Sequence, residues 1–447
     1  MDRRHDDPYP RQTLRLRDGV AIVVGIVLGA GIFRTPSLVA QGSASGEIML
    51  LLWVSGAAIA LIGALCYAEL AAAYPDAGGD YHFLGRAFGS RLAFLYGWAR
   101  LAVIQTGSIA VLAYVFGDYI AVIVPLGPQG PAIWAAIAVV AVTAVNWAGV
   151  QAGAGAQRWL TLVEVAGLAM VIVAGLFLAP GVDAAALPAP DPTLSIGLAM
   201  VFVLLTFGGW NEAAYVSAEL RGGGRRVVPV LFISLGILTA LYLLANLAYL
   251  RALGLGGIGR SQAVAADVMG AAFGPSGAGL IAVAVAIAAL TSANATAITG
   301  ARGAYALGRD IPALGRLGAW HAASGSPRNA LAVQGLAALA LVGAGVFARD
   351  GFQLAVEYTA PVFWGFFLLS GIALFVLRRR DPARERPFRV PLYPVVPLLF
   401  CAANAYLLWS SLAYTGWGAL VGVGVVAAGA LLLPFLTPRP PQPEIEP

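Results

Sequence analysis

The groups in this chain best placed to do chemistry belong to its backbone. Residues 25–36 read G-I-V-L-G-A-G-I-F-R-T-P, in the middle of the apolar run 19–40. Each glycine there costs roughly 1 kcal/mol against alanine in a helix, so the run is expected to break near Gly29, Ala30, Gly31 and Ile32. Inside a bilayer a break is tolerated only where the freed N–H and C=O groups meet protein, water or a ligand. The spacing Gly25 to Gly29 also suits close packing of two helices, so on this stretch alone an unwound binding site and a packing seam are both open. A second glycine break, Phe207-Gly208-Gly209-Trp210-Asn211, lies far along the chain. Interrupted apolar segments in corresponding positions of two halves point to a transporter site at the membrane midplane.

Ionisable and polar side chains inside apolar runs form the second set, and each carries a structural alternative. Glu164 could hold a proton, or bind a cation with hydroxyls of Thr291 or Ser292; the alternative is an ion pair with Arg158 or Arg100. Glu212, just past the second break, could read a substrate side chain or amine, or hydrogen-bond to a neighbouring helix. Asn294 either lines the pocket or bonds between helices. Phe207 and Trp210 either gate the site or pack. Arg34 is expected to pair with Glu47 or to attract anions, and Glu69 with Arg100 to form a pair or snorkelled anchors.

The elements that must position these groups are membrane helices. Of 447 residues, 60% are hydrophobic and 11% charged, with a mean hydropathy of +0.82; soluble domains carry about a quarter charged residues. Twelve apolar runs are long enough to span, which leaves no room for a soluble domain. Every basic residue is arginine. With twelve spans the clusters at 3–17, 86–91, 221–226, 302–316 and 378–389 fall on one side, expected to be the cytoplasm. The net charge of +5 is therefore topology, and no nucleic-acid partner is expected. Cys66 and Cys401 lie inside apolar runs and give no disulfide framework. The expected order is a cytoplasmic tail (1–18), one transmembrane domain (19–437) and a disordered, Pro-rich tail (438–447). If the helices of 193–378 repeat those of 19–180, five being odd, the second set is inverted, with two further helices at about 390–437.

Several stretches, in order, resemble the amino acid–polyamine–organocation (APC) superfamily permeases, and within them the L-type amino acid transporter branch, bacterial type. Gly29-Ala30-Gly31-Ile32-Phe33 with Pro36 resembles the family's G-S-G-I-F-x-x-P. Tyr74-Pro75, Gly78-Gly79, Tyr81, Ala87-Phe88-Gly89 and Phe94 to Trp98 are similar to its first cytoplasmic loop. Phe207 to Asn211 with Glu219 resembles its helix 6, Ser292, Asn294 and Arg302 its helix 8, and Arg386 to Pro394 its loop before helix 11. The resemblance implies an all-α fold of twelve helices, a five-plus-five inverted repeat of the leucine-transporter type with discontinuous helices 1 and 6, and an amino acid held between them. Gly29, Ala30, Gly31 and Ile32 would then offer N–H groups to the carboxylate, and carbonyls near Phe207, Gly208 and Gly209 would meet the amine. Two departures stand out. Glu164 occupies a position commonly lysine in the branch, and the loop 124–134 lacks the cysteine through which eukaryotic members bind a heavy chain, so no disulfide-linked partner is expected.

The functional expectation is a multi-pass permease of the cytoplasmic membrane, both termini cytoplasmic, moving zwitterionic, chiefly neutral amino acids by proton symport or exchange. Alternatives are a non-transporting amino acid sensor on a transporter fold and a cationic amino acid or polyamine permease. A channel would need a continuous polar path. An enzyme would need a nucleophile–base set or metal cluster, and His5, His82 and His321 sit in the tail or loops. No cofactor is expected.

Overall fold

The first apolar run folds as two half-length helices because its middle is glycine. These are α1 (Leu16–Val27) and α2 (Gly31–Gln41), with residues 28–30 between them. Each is too short to cross alone: 11 residues in α2 reach about 16 Å at 1.5 Å per residue, half of a hydrocarbon core of about 30 Å. The computed structural model describes residues 15–74, 79–149, 154–182, 193–212, 227–321, 325–348, 350–414 and 416–433. Residues 1–14 of the predicted N-terminal tail, the whole C-terminal tail, residues 213–220 of helix 6 and the side chains of Glu212 and Arg158 lie outside this set. The first helix, α1, begins within the expected tail, at Leu16.

Ser45 starts α3 (Gly46–Ala73), its hydroxyl accepting from the Ile48 N–H at 3.3 Å in place of a missing helical acceptor. A short α4 (Asp80–Phe88) leads to α5 (Ser90–Ile123), whose middle, Arg100–Gln105, is wound as a π-helix. Then come α6 (Gly130–Ala148), α7 (Ala154–Val173) and α8 (Ile196–Thr206). The last is capped by Ser195 and ends at the second glycine break, followed by a 3-10 turn, Trp210–Glu212. Long helices follow: α9 (Val227–Arg260), kinked at Gly254, and α10 (Val264–Asp310), kinked at Gly274-Pro275. The chain continues with α11 (Arg328–Gly345), α12 (Gly351–Arg380), α13 (Val395–Ala413) and α14 (Trp417–Leu432).

Among the described residues, 8 helical stretches are long and apolar enough to cross a membrane. Their outward faces carry large apolar side chains such as Leu51, Leu280, Leu336 and Leu398, each more than half exposed. Such a surface suits lipid, which offers no hydrogen bonds to polar groups. The described residues are nearly all helical, and the chain is a multi-pass membrane protein.

Charged groups are buried at the two ends of the bundle, and they pair differently from the sequence expectation. Arg34, only 2% exposed, does not reach Glu47. Its Nε donates to Asp118 of α5 at 3.0 Å and its Nη2 pairs with Asp350, the N-cap of α12. At the opposite end Glu69 meets Arg378 of α12 at 2.7 Å, Arg386 at 3.5 Å and the Val390 N–H at 2.6 Å, rather than Arg100. Both expectations paired charges across neighbouring helices, whereas the fold recruits acceptors and donors some 300 residues away. Beside Glu69, Asp80 accepts from Tyr67 at 2.6 Å, Ser370 at 2.7 Å and Tyr96 at 3.3 Å, tying α3, α4, α5 and α12 together.

Removing one partner of a buried ion pair leaves an uncompensated charge, worth about 3–5 kcal/mol. Glu69→Ala strands Arg378, Arg386 and the Val390 N–H together. Thermal unfolding of the detergent-purified variant is expected to show a loss of at least the lower figure, and an unchanged midpoint would show that this cluster does not hold the end of the bundle.

Candidate functional site

The two breaks meet in space. The hydroxyl of Thr206, at the end of α8, lies 2.9 Å from that of Thr35 in α2, and a Cβ on Gly31 would touch Thr206 at 3.4 Å. Gly209 holds φ +101, a left-handed conformation that a side chain disfavours. Each half-helix end exposes backbone groups with no partner inside the helix. At the carbonyl ends one residue serves both breaks: the Tyr242 hydroxyl of α9 lies 2.9 Å from the Val27 carbonyl and 3.3 Å from that of Thr206. At the start of α2 the dipole leaves N–H groups around Gly31 that favour an anion.

A cavity of about 410 Å³ opens at these ends. Gly29, Ala30 and Gly31 border it from the first break; Gly208, Gly209 and Asn211 border it from the second. From α10, Ser292, Thr296 and Thr299 line it, and from α12 Val356, Thr359 and Phe363. The π-turn of α5 supplies Arg100 and Gln105, with Ser108 one turn on. The space therefore has a polar floor of backbone ends and hydroxyls and an apolar wall, a combination suited to a small zwitterion with a side chain.

Other residues singled out from the sequence sit elsewhere. Ile32 and Phe207 are fully buried; Phe207 packs on Trp53 and Tyr242 with ring centroids 6.0 and 5.0 Å away. Trp210 meets Tyr67 edge-on at 5.1 Å and Phe367 at 5.7 Å, behind the break. Thr291 turns its hydroxyl back to the Ile287 carbonyl at 2.8 Å, and Asn294 accepts from Asn146 of α6 at 2.6 Å. Glu164 is 7% exposed on α7, near enough to Tyr242 to act on it electrostatically, and stands apart from the cavity lining. Sequence reasoning did not find Tyr242 or Gln105. A tyrosine and a glutamine in otherwise apolar helices were the available signals.

A broken helix and a second helix that ends at a glycine break, both bordering one cavity in an apolar helical bundle, fit the arrangement of a secondary transporter. The amino acid permease family model matches residues 14–430, and the chain belongs to this family of the APC superfamily. It is similar to the b(0,+)-type amino acid transporter 1 of Mus musculus, 29% identical over 402 residues, covering 88% of this chain and 81% of the relative. The human protein of that name is 29% identical over 407 residues, covering 89% and 82%. The large neutral amino acids transporter small subunit 2 of Mus musculus is 29% identical over 443 residues, covering 94% and 81%.

Gly29 offers a direct test of whether the cavity floor is ligand space. A Cβ there would have the Val27 carbonyl at 4.0 Å as its nearest neighbour, so the protein itself has room for a methyl. Gly29→Ala is expected to keep the fold while lowering amino acid affinity about tenfold or more, since a misfit at a packed contact costs about 1–3 kcal/mol. Equilibrium binding to the purified variant checks this.

Proposed function

We propose that this chain is a secondary active transporter that carries zwitterionic, chiefly neutral amino acids across the cytoplasmic membrane by alternating access. The observation that carries the reading is the pair of helix breaks at one cavity. N–H groups at the start of α2 suit the substrate carboxylate, and carbonyls at the ends of α1 and α8, through residues 207–209, suit its ammonium. An amino acid satisfies both sets at once, and both contacts are backbone, so they accept any side chain. Family membership and the relatives' names agree with this substrate class.

The same reading extends to the architecture. Twelve helices are proposed, in two inverted sets of five at about 19–180 and 193–378, with the helices of about 390–437 outside the repeat and both termini cytoplasmic. On that topology the cavity faces the cytoplasm: Tyr96, Arg100 and Thr299 line its inner end, while Arg34, Asp118 and Asp350 close the outer end. Release of substrate outward would then require Arg34 to part from α5 and α12, and inward closure would bring α5 and α10 onto α1. No disulfide-linked heavy chain is proposed, since residues 124–134 hold no cysteine.

Glu164 is the proposed coupling group, a buried carboxyl beside Tyr242, which itself clamps the two breaks. Protonation there would be felt at the carbonyl ends through that hydroxyl. Uptake of labelled amino acids into proteoliposomes, with and without an inward proton gradient or internal amino acid, tests both points. Gradient-driven accumulation that Glu164→Gln abolishes is the expected result. Uptake only into preloaded vesicles makes the protein an exchanger and Glu164 structural, and binding without flux in any condition replaces the transporter reading with that of a sensor.

A further inference from the structure

Behind the second break lies a chamber separate from the substrate cavity. It leaves about 10 Å³ for the centre of a water molecule, close to the least that admits one water. Gly208, Phe363 and Phe367 border both spaces and form the partition between them. Ile59 of α3, Leu204 of α8 and Phe400 of α13 give the chamber an apolar wall. Besides the indole of Trp210, two polar side chains line it, Trp364 of α12 and Asn404 of α13. Trp364 is 4% exposed and Asn404 1%. The Trp364 indole N–H and the Asn404 Oδ1 are both buried, and neither has a hydrogen-bond partner among the described residues. The amide of Asn404 is fixed in orientation, because its Nδ2 donates to the Phe400 carbonyl one turn back at 2.7 Å. Exchanging its two ends would set oxygen against oxygen. The Trp364 ring is held edge-on by Phe363 at 5.0 Å and Phe367 at 6.1 Å.

We propose that this chamber is a binding site for one water molecule, which accepts from the Trp364 indole N–H and donates to the Asn404 Oδ1. Buried polar groups in folded proteins nearly always find a partner, and here one group only donates while the other only accepts. A water offers both functions on a single heavy atom, which is all the room allows. Two polar partners are the lower end of what holds a buried water, whereas cavities lined by apolar groups alone stay dry. Other occupants fit poorly. No charged side chain is among the described lining residues, so an ion would lose its hydration without gaining a counter-charge. A cation would in addition face the indole N–H. The water backs the second break: Gly208 has the substrate cavity on one side and this site on the other. The site stands on chamber size and two orphaned atoms, and does not depend on which solute the cavity takes.

A structure of the full chain in lipid nanodiscs, at a resolution that shows ordered water, tests the proposal. Density for one water is expected about 3 Å from the Trp364 Nε1 and about 2.8 Å from the Asn404 Oδ1. A chamber without density in a map that shows other buried waters, or a direct hydrogen bond between Trp364 and Asn404, overturns it. Thermal unfolding of Trp364→Phe, Asn404→Leu and the double variant gives an independent reading. Either single change takes one partner from the shared water and leaves the other side chain poorly satisfied. The double variant is therefore expected to lower the unfolding midpoint by less than the sum of the two single shifts. Additive shifts would overturn the shared water, and the wild-type density decides even where a variant does not fold.

Discussion

Every backbone N–H and C=O freed by a glycine break must find a partner inside a medium that supplies no water, and the structure is arranged around that demand. The break after Val27 and the break after Thr206 are brought side by side, so one hydroxyl, that of Tyr242, serves carbonyls at both. Phe207 packs between Trp53 and Tyr242 and fixes the second break from behind. Glycines in α3 permit the close approach: a Cβ on Gly56 would lie 2.4 Å from Val203, and one on Gly63 would lie 2.7 Å from Trp210. The groups left over at the start of α2 face the cavity. An unsatisfied buried polar group costs about 1–3 kcal/mol, so these ends prefer a ligand that supplies both an acceptor and a donor, which a zwitterion does.

The ends of the bundle follow a different rule. There, buried charges join helices distant in sequence: Arg34 ties α2 to α5 and α12, and Glu69 ties α3 to the end of α12 and the segment before α13. Buried pairs of this kind add little net stability over apolar packing but are expensive to break singly. They suit contacts that must be made or released as sets when the helices move. Between the two ends the walls are largely apolar and aromatic, and among the described residues the helix breaks, the π-turn and several hydroxyls are the polar features that line the cavity.

Much of this was legible in the residues. The hydropathy marked the helices, and the glycines at 29, 31, 208 and 209 marked the breaks, because both signals are local: they act through the intrinsic cost of helix and of exposed backbone. Asn211, next to the second break in sequence, and Ser292, read from the sequence as a cation-ligand candidate, both border the cavity. The partners of Arg34 and Glu69 were not legible, because Asp118, Asp350, Arg378 and Arg386 come from elements that meet only in the folded bundle. Helical phase was the other limit. Thr291 and Asn294 flank Ser292 closely, yet their rotation about α10 sends one hydroxyl to its own helix and the other side chain to Asn146. The π-turn, which rotates the face of α5, has no sequence signature, and the role of Tyr242 depends on two breaks meeting at α9.

In the proposed function, paired helix ends, and no charged side chain, hold the backbone of an amino acid. A structure of the purified protein determined with a bound neutral amino acid tests it most directly. Ligand density is expected between the two breaks, with the carboxylate on the N–H groups around Ala30, Gly31 and Ile32 and the ammonium on the carbonyls at the end of α1 and of residues 207–209. Density elsewhere in the cavity, or an α-carboxylate held by Arg100 instead of by backbone, would contradict it.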